Sequence, residues 1–460
     1  MSTVSGPAIV GLGLVIVAGS CNALNGDYDG GMTGTGSSGT TLSASSGGDG
    51  PAASTSTTAG SSSGSPQSSG PNPECGNGVV EGDEGCDLGD EVDEGVCTDD
   101  CRIPGEPEWE TDFETRFSGS HRFSALAIFE GDVIAVGRAV LQPGMPRSPV
   151  IVRFDREDGQ VASVGVLPGP TGEGEAFSIA AAPNRVFVAG SWRPEGTYSG
   201  FVACLEPGAG DVPTEVCWVQ GDIAGQISHA VGWEAGQLLA TTGRFNAEGY
   251  GIVELNDDDG VVLTEWLDPA PMDSGQFEAI AWTDDGPVVG GMVDADAIVG
   301  EVQLATQEVS PWLVLPVSSR GRDIVQGLWS LGDAVAAGGW SAGSNNGPRQ
   351  AFVGIYEMSG FTSWERTFQG GGASSDEVEA VTVDEAGHVI AVGMLGEPAV
   401  PAIWKLEVST GETVWERQYP ELAEDDTFFR GVVVDHDIFV AGERRLLGEG
   451  SQGIVLRLAP

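Results

Sequence analysis

The chain has 460 residues, roughly three times the usual length of one domain, so a sizeable core and several modules fit within it. Lys plus Arg number 20 against 68 Asp plus Glu, a formal net charge of 20 − 68 = −48. This excludes nucleic-acid binding through a general basic face, which needs clustered cations to meet phosphates. Lys405 is the single lysine, so Schiff-base and phosphate-loop lysine chemistry have almost no candidates. Glycine, 71 residues, is about twice ordinary usage, which points to turn-rich β-structure and away from long helices.

Residues 7–19 read PAIVGLGLVIVAG, an apolar run too short for a bilayer span, which needs about 20 residues, but suited to the core of a signal peptide. The following Ala18-Gly19-Ser20-Cys21 resembles a bacterial lipobox, which implies lipidation of Cys21; it departs from that pattern in carrying Ala18 where Leu is commonest, and residues 1–20 contain no Lys or Arg. An ordinary cleaved signal is the alternative. Residues 26–74 hold 12 Gly, 13 Ser and 7 Thr with a single aromatic, a composition that cannot bury enough apolar surface to offset chain entropy. The segment is expected to be a flexible tether.

Residues 75–101 contain Cys75, Cys86, Cys97 and Cys101 in the spacing C-x10-C-x10-C-x3-C, with ten acidic residues and no basic one. In an exported chain this reads as a disulfide frame with three possible pairings. Zinc is disfavoured because no C-x2-C pair is present. Asp83, Glu84, Asp87, Asp90 and Asp93 suit Ca²⁺, although a solvated acidic cluster is the simpler reading. The string CGNGVVEGDEGCD resembles the cysteine-rich repeat common in surface proteins of myxobacteria, which implies location more than activity.

From residue 105 onward one apolar-then-glycine string recurs seven times, ending at Gly137, Gly190, Gly243, Gly291, Gly339, Gly393 and Gly442, at intervals of 53, 53, 48, 48, 54 and 49 residues. Each has an apolar partner upstream: FSALAI from Phe123, FSIAAA from Phe177, SHAVGW from Ser228, FEAIAW from Phe277, VQGLWS from Val325, VEAVTV from Val378 and FRGVVV from Phe429. Turn residues separate the two, a third strand follows, and a fourth often carries Trp, at 218, 266, 312, 364 and 415. Four short strands per unit of about 50 residues predict a β-propeller of seven blades. The glycine ending each string is expected to let sheets approach closely where they converge. The seventh unit lacks a fourth strand, and Glu108–Phe113 matches the missing one, so the N-terminal strand should close the ring. Cys204 and Cys217 fall on neighbouring strands of the second unit and are expected to form a disulfide, two free buried thiols being the alternative.

The string 370–393 resembles the bacterial β-propeller repeat of exported proteins, and LEVSTGETVWERQ (406–418) resembles the repeat of quinoprotein-type propellers. These motifs imply blade construction and carry no catalytic residue across. The expected fold is thus all-β: a signal peptide (1–20), a lipid-anchored linker (21–74), a cysteine-rich module (75–104) and a seven-bladed propeller (105–460). His121 and His229 should lie on the face opposite His388 and His436, so no metal trio is expected from one sheet end, and all four read as solvated. No G-x-S-x-G elbow is present.

The loops leaving the second strands hold Arg138, Trp192, Arg193, Tyr198, Arg244, Phe245, Tyr250, Trp340, Arg349, Arg444 and Arg445. Aromatic platforms with arginines suit an anionic ligand, a sugar or a protein partner. The expectation is a monomeric, non-catalytic module that binds an envelope protein or glycan, needs no cofactor and meets the membrane only through its anchor. The alternative is a quinone-dependent or polysaccharide-active enzyme, which would show channel acids with raised pKa. If Cys21 carries the anchor, Cys21→Ala moves the protein from the membrane to the soluble fraction; membrane retention of the variant refutes lipidation.

Overall fold

The computed structural model describes residues 101–460 except 114–118, 143, 170–172, 195–197, 207–214, 224–226, 244–249, 268–274, 307, 316–321, 343–346, 371–374, 426 and 447–449, together with residues 16–17, 80, 84–87, 97–98 and 100. Seven antiparallel sheets follow one another along the chain. Blade 1 is Arg122–Phe129, Asp132–Ala139, Ser148–Phe154 and Val161–Val166; blade 2 is Glu173–Ala182, Arg185–Arg193, Ser199–Glu206 and Glu215–Ile223. Blade 3 is Ile227–Glu234, Gln237–Gly243, Tyr250–Leu255 and Val262–Leu267; blade 4 is Gly275–Thr283, Gly286–Val293, Asp296–Gln303 and Glu308–Leu315. Blade 5 is Asp323–Ser330, Ala334–Ala342, Arg349–Glu357 and Thr362–Phe368; blade 6 is Glu377–Val383, His388–Leu395, Val400–Glu407 and Thr413–Gln418. Blade 7 joins Thr427–Asp435, Asp437–Leu446 and Gly450–Leu458 to Pro107–Phe113 as its outer strand.

The closing strand lies antiparallel to the third strand of blade 7, with Glu110 opposite Leu456 and Phe113 opposite Gly453, as the sequence predicts. The first strands of successive blades touch, and the first strand of blade 7 touches that of blade 1, so these seven innermost strands enclose the axis. Ile16–Val17 also makes a two-residue antiparallel pairing with Ile179 and Ala180 of the blade 2 inner strand; the rest of the expected signal peptide and the tether lie outside the described residues. Helix among the described residues is limited to short 3₁₀ turns such as Pro420–Asp425.

Apolar clusters sit between blades. One unites Phe113, Phe123 and Phe154 with Val433 and Phe439, fastening blade 7 to blade 1. Outer-strand tryptophans add a polar clasp. The Trp109 indole donates to the Arg156 carbonyl at 3.2 Å, Trp218 to Asp257 at 3.2 Å and Trp364 to Val408 at 2.7 Å, each reaching the third-to-fourth hairpin of the next blade. Each hairpin offers a glycine under the ring, Gly159, Gly260 or Gly411, whose φ of 68°, 72° or 70° lies in the left-handed region.

The string-ending glycines have another role than the one expected from sequence. A Cβ on Gly137, Gly190, Gly291, Gly339, Gly393 or Gly442 would overlap a first-strand carbonyl of the same blade: Arg122, Glu175, Gln276, Ile324, Glu377 or Phe428. Opposite each glycine the first strand carries a β-bulge, for example between Phe123 and Ala125. The glycine therefore makes room for a bulge within its own blade. Two register assignments change as a result. Ala176, not Phe177, corresponds to Phe123, and in blade 3 the position opposite the bulge is Thr242 rather than Gly243. Replacing Gly339 by Ala should cost about 3 kcal/mol or more, measurable by denaturant unfolding, because backbone must move; an unchanged midpoint would refute this role.

Candidate functional site

Cys86 is bonded to Cys97 and Cys204 to Cys217, and Cys101 is also disulfide-bonded. Cys21 and Cys75 lie outside the described residues, as do Asp83, Asp90, Asp93, Arg244 and Phe245. Glu84, Asp87 and Cys101 converge, but a disulfide sulfur is not a thiolate ligand.

The structure gives the expected binding residues mostly interior partners. Trp192 and Trp340 belong to the core, only 4% and 7% exposed. Trp192 stacks on Phe201 with ring centroids 4.2 Å apart, and the Arg349 guanidinium lies 4.2 Å over Trp340 while pairing with Glu377 at 2.9 Å. Arg138 pairs with Glu175 at 3.1 Å and donates to Ser120 Oγ at 3.1 Å. Arg444 bridges Glu110 and Asp112 of the closing strand, within its own blade. Arg193 packs over Tyr198 at 5.1 Å, and Arg445 over Phe428 at 4.6 Å. For Arg138, Arg349 and Arg444, whose side chains are largely buried, lost solvation makes such internal partners necessary; Arg193 and Arg445 remain open to solvent.

Tyr250 is placed differently from these residues. It lines a cavity of about 220 Å³ between blades 3 and 4, with Trp266, Phe277, Ile298, Asp294 and Asp296 among the other walls. The rim is shaped by the Val293–Asp296 turn, in which Asp294 and Ala295 have φ of 53° and 73°. Positive φ at both central positions is the two-residue hairpin geometry that matches strand twist. This turn holds two carboxylates beside the aromatic walls. Neither pairs with a cation among the described residues.

A second assembly surrounds the axis. The bulge turns one residue per blade out of the ladder: Ser124, Phe177, His229, Glu278, Gln326, Glu379 and Arg430, each no more than 4% exposed. Neighbours interact around this ring. Phe177 stacks on His229 at 5.9 Å, His229 Nδ1 lies 3.1 Å from Glu278, Gln326 donates to Glu379 at 3.1 Å, and Arg430 donates to Glu379 at 3.4 Å. Ser124 donates to Glu175 at 3.2 Å, and Arg122 and Arg138 meet the same carboxylate.

Histidines expected to be solvated are mostly interior. His121 and His229 are buried, His121 accepting from the Val140 amide at 3.2 Å. His388 is half-buried against Asp384, which also pairs with Lys405 at 3.1 Å. His436 alone is open to solvent, and with Glu385 and Asp435 it forms a mixed trio with ligand atoms within 4.8 Å of one another. A two-acid, one-histidine set thus arises between blades where histidines alone supply none.

Two acids near the axis, Glu443 and Glu175, are held ionised. Burial alone would raise the Glu443 carboxyl, but Arg122, Arg430, Arg445 and Arg138 bring it down to about 2. Glu175 is likewise held below the ordinary range by Arg122 and Arg138 against the effect of burial. Such groups act as ion-pair members rather than as proton donors near neutrality.

No family model matches the sequence, and no curated protein matches it. Several solved structures are similar to the chain. The WD40 domain of Toxoplasma gondii coronin is 12% identical, covering 78% of this chain and 89% of that one, with a TM-score of 0.47. Kuenenia stuttgartiensis hydrazine synthase is 10% identical over 76% and 98%, with a TM-score of 0.48, and the Dos1 propeller 9% identical over 73% and 77%, with a TM-score of 0.42. At such identities the likeness concerns fold alone.

The ring was within reach of sequence reasoning. Aligning the seven first-strand strings on the bulge places its members in one column; anchoring the second on Phe177 hides it. The depressed Glu443 value sets a pH dependence. Its contribution is complete above about pH 4.5 and is lost as pH falls toward 2. Glu443→Gln should lose on the order of 3 kcal/mol at pH 7 and show a shallower acid limb in that window; an acid limb identical to the parent's would refute the assignment.

Proposed function

We propose that this chain is an exported, surface-tethered binding module, non-catalytic, that docks a protein partner through the rim cavity between blades 3 and 4. The cavity itself carries this reading: aromatic and apolar walls with Asp294 and Asp296 at the turn form a receptor for one cationic side chain. Charge argues for the same partner. A chain of net charge −48, with its axial arginines met from within, repels anionic envelope glycans and attracts a basic protein surface. The ionised state of Glu175 and Glu443 supports a binding role over acid–base catalysis.

A panel of fluorescent peptides and oligosaccharides, read by anisotropy against the full chain, tests the proposal. Lys/Arg-rich peptides should bind and weaken as salt rises. Asp296→Asn and Trp266→Ala should each reduce affinity at least about tenfold, with Asp296→Asn leaving the melting temperature unchanged. Salt-insensitive binding of a neutral glycan, or no effect of either variant, would refute the cationic-anchor reading.

A further inference from the structure

On the ring, Glu379, Arg430 and Ser124 have partners, whereas the opposite arc has a surplus of acceptors. Both oxygens of Glu278 are buried without a hydrogen-bond partner, and the residue is only 1% exposed. The Gln326 amide nitrogen is committed to Glu379, which fixes its orientation and leaves Gln326 Oε1 buried and unpartnered. His229 Nδ1 lies 3.1 Å from Glu278 Oε2 yet makes no aligned hydrogen bond. These residues stand at equivalent bulge positions on the inner strands of blades 3, 4 and 5, which touch in sequence around the axis. Leaving such acceptors unpaired is costly, most of all for a charged group, so this arc calls for a donor or a cation.

We propose that His229, Glu278 and Gln326 form a divalent metal site on the propeller axis, taking an ion of borderline character such as Zn²⁺. An imidazole nitrogen, a carboxylate and an amide oxygen together suit such an ion better than Mg²⁺, which prefers all-oxygen shells. Ligand atoms about 2.0–2.2 Å from one ion stand roughly 3.0–3.5 Å apart, which the His229–Glu278 approach of 3.1 Å already satisfies. Stacking on Phe177 fixes the His229 ring from the other side. The site shares no residue with the rim cavity.

Calorimetric titration of the chelator-treated full chain with Zn²⁺, in physiological salt with excess Mg²⁺ to mask surface carboxylates, tests this. One tight site is expected, retained in His436→Ala and weakened by more than about 100-fold in Glu278→Gln and in His229→Phe. Co²⁺ added to the unmodified protein should give a visible absorption band that Zn²⁺ abolishes, a readout that needs no variant to fold. Absence of a tight site and of the band, undiminished binding in Glu278→Gln, or loss only in His436→Ala (which would move the ion to the surface trio) would each overturn the assignment.

Discussion

A bulge in the innermost strand, accommodated by a facing glycine, is the constraint on which the rest of this propeller depends. In six blades the glycine admits a carbonyl that any Cβ would displace, and the bulge releases one residue from the ladder. The released residues sit on adjoining inner strands at one level, so they meet around the axis. Blade 3 follows the same register with Thr242 in place of glycine, and there the Thr242 hydroxyl is buried without a partner while the Ala230 amide donates to the Thr241 hydroxyl. Strain relief in the backbone and polar chemistry on the axis are thus consequences of one local geometry.

Closure rests on a second repeated device. Because Trp109 reaches the Arg156 carbonyl as Trp218 and Trp364 reach theirs, the N-terminal strand is a full member of blade 7 and passes its neighbour contact to blade 1. Arg102 and Arg457 reinforce it by sharing Asp437 and Glu108. The edge that an open seventh sheet would present is therefore covered on both its hydrogen-bonding and its indole side.

Blade number, strand order, closure and the Cys204–Cys217 bond were legible because each depends on local pattern: apolar alternation, turn residues and spacing. The exposure of site residues was not. Trp192 and Arg138 come after the apolar string of a second strand and so read as loop residues, yet both are still within that strand and packed against a neighbouring blade. Trp266, Asp294 and Asp296 come from a fourth strand and a hairpin of different blades, and only tertiary packing makes them one cavity. Sequence locates a rim; which side chains face it depends on how neighbouring sheets fill the gaps.

The distribution of cations links these observations. The chain has only 20 Lys and Arg, and the structure commits many of them to its own carboxylates: Arg122 and Arg138 to Glu175, Arg349 to Glu377, Arg430 to Glu379, Lys405 to Asp384, Arg156 to Asp435 and Arg457 to Asp437. These pairs offset desolvation near the axis and at blade junctions, where an unpaired charge would be most costly. They also leave few cations for other sites. Asp294 and Asp296 at the rim and Glu278 on the ring have no cationic side chain of this protein beside them among the described residues, His229 apart. With 68 acidic residues against 20 cations, carboxylates near the surface such as Asp294 go unpaired as a matter of number; Glu278, buried on the ring, is the one whose charge the proposed axial metal ion would balance.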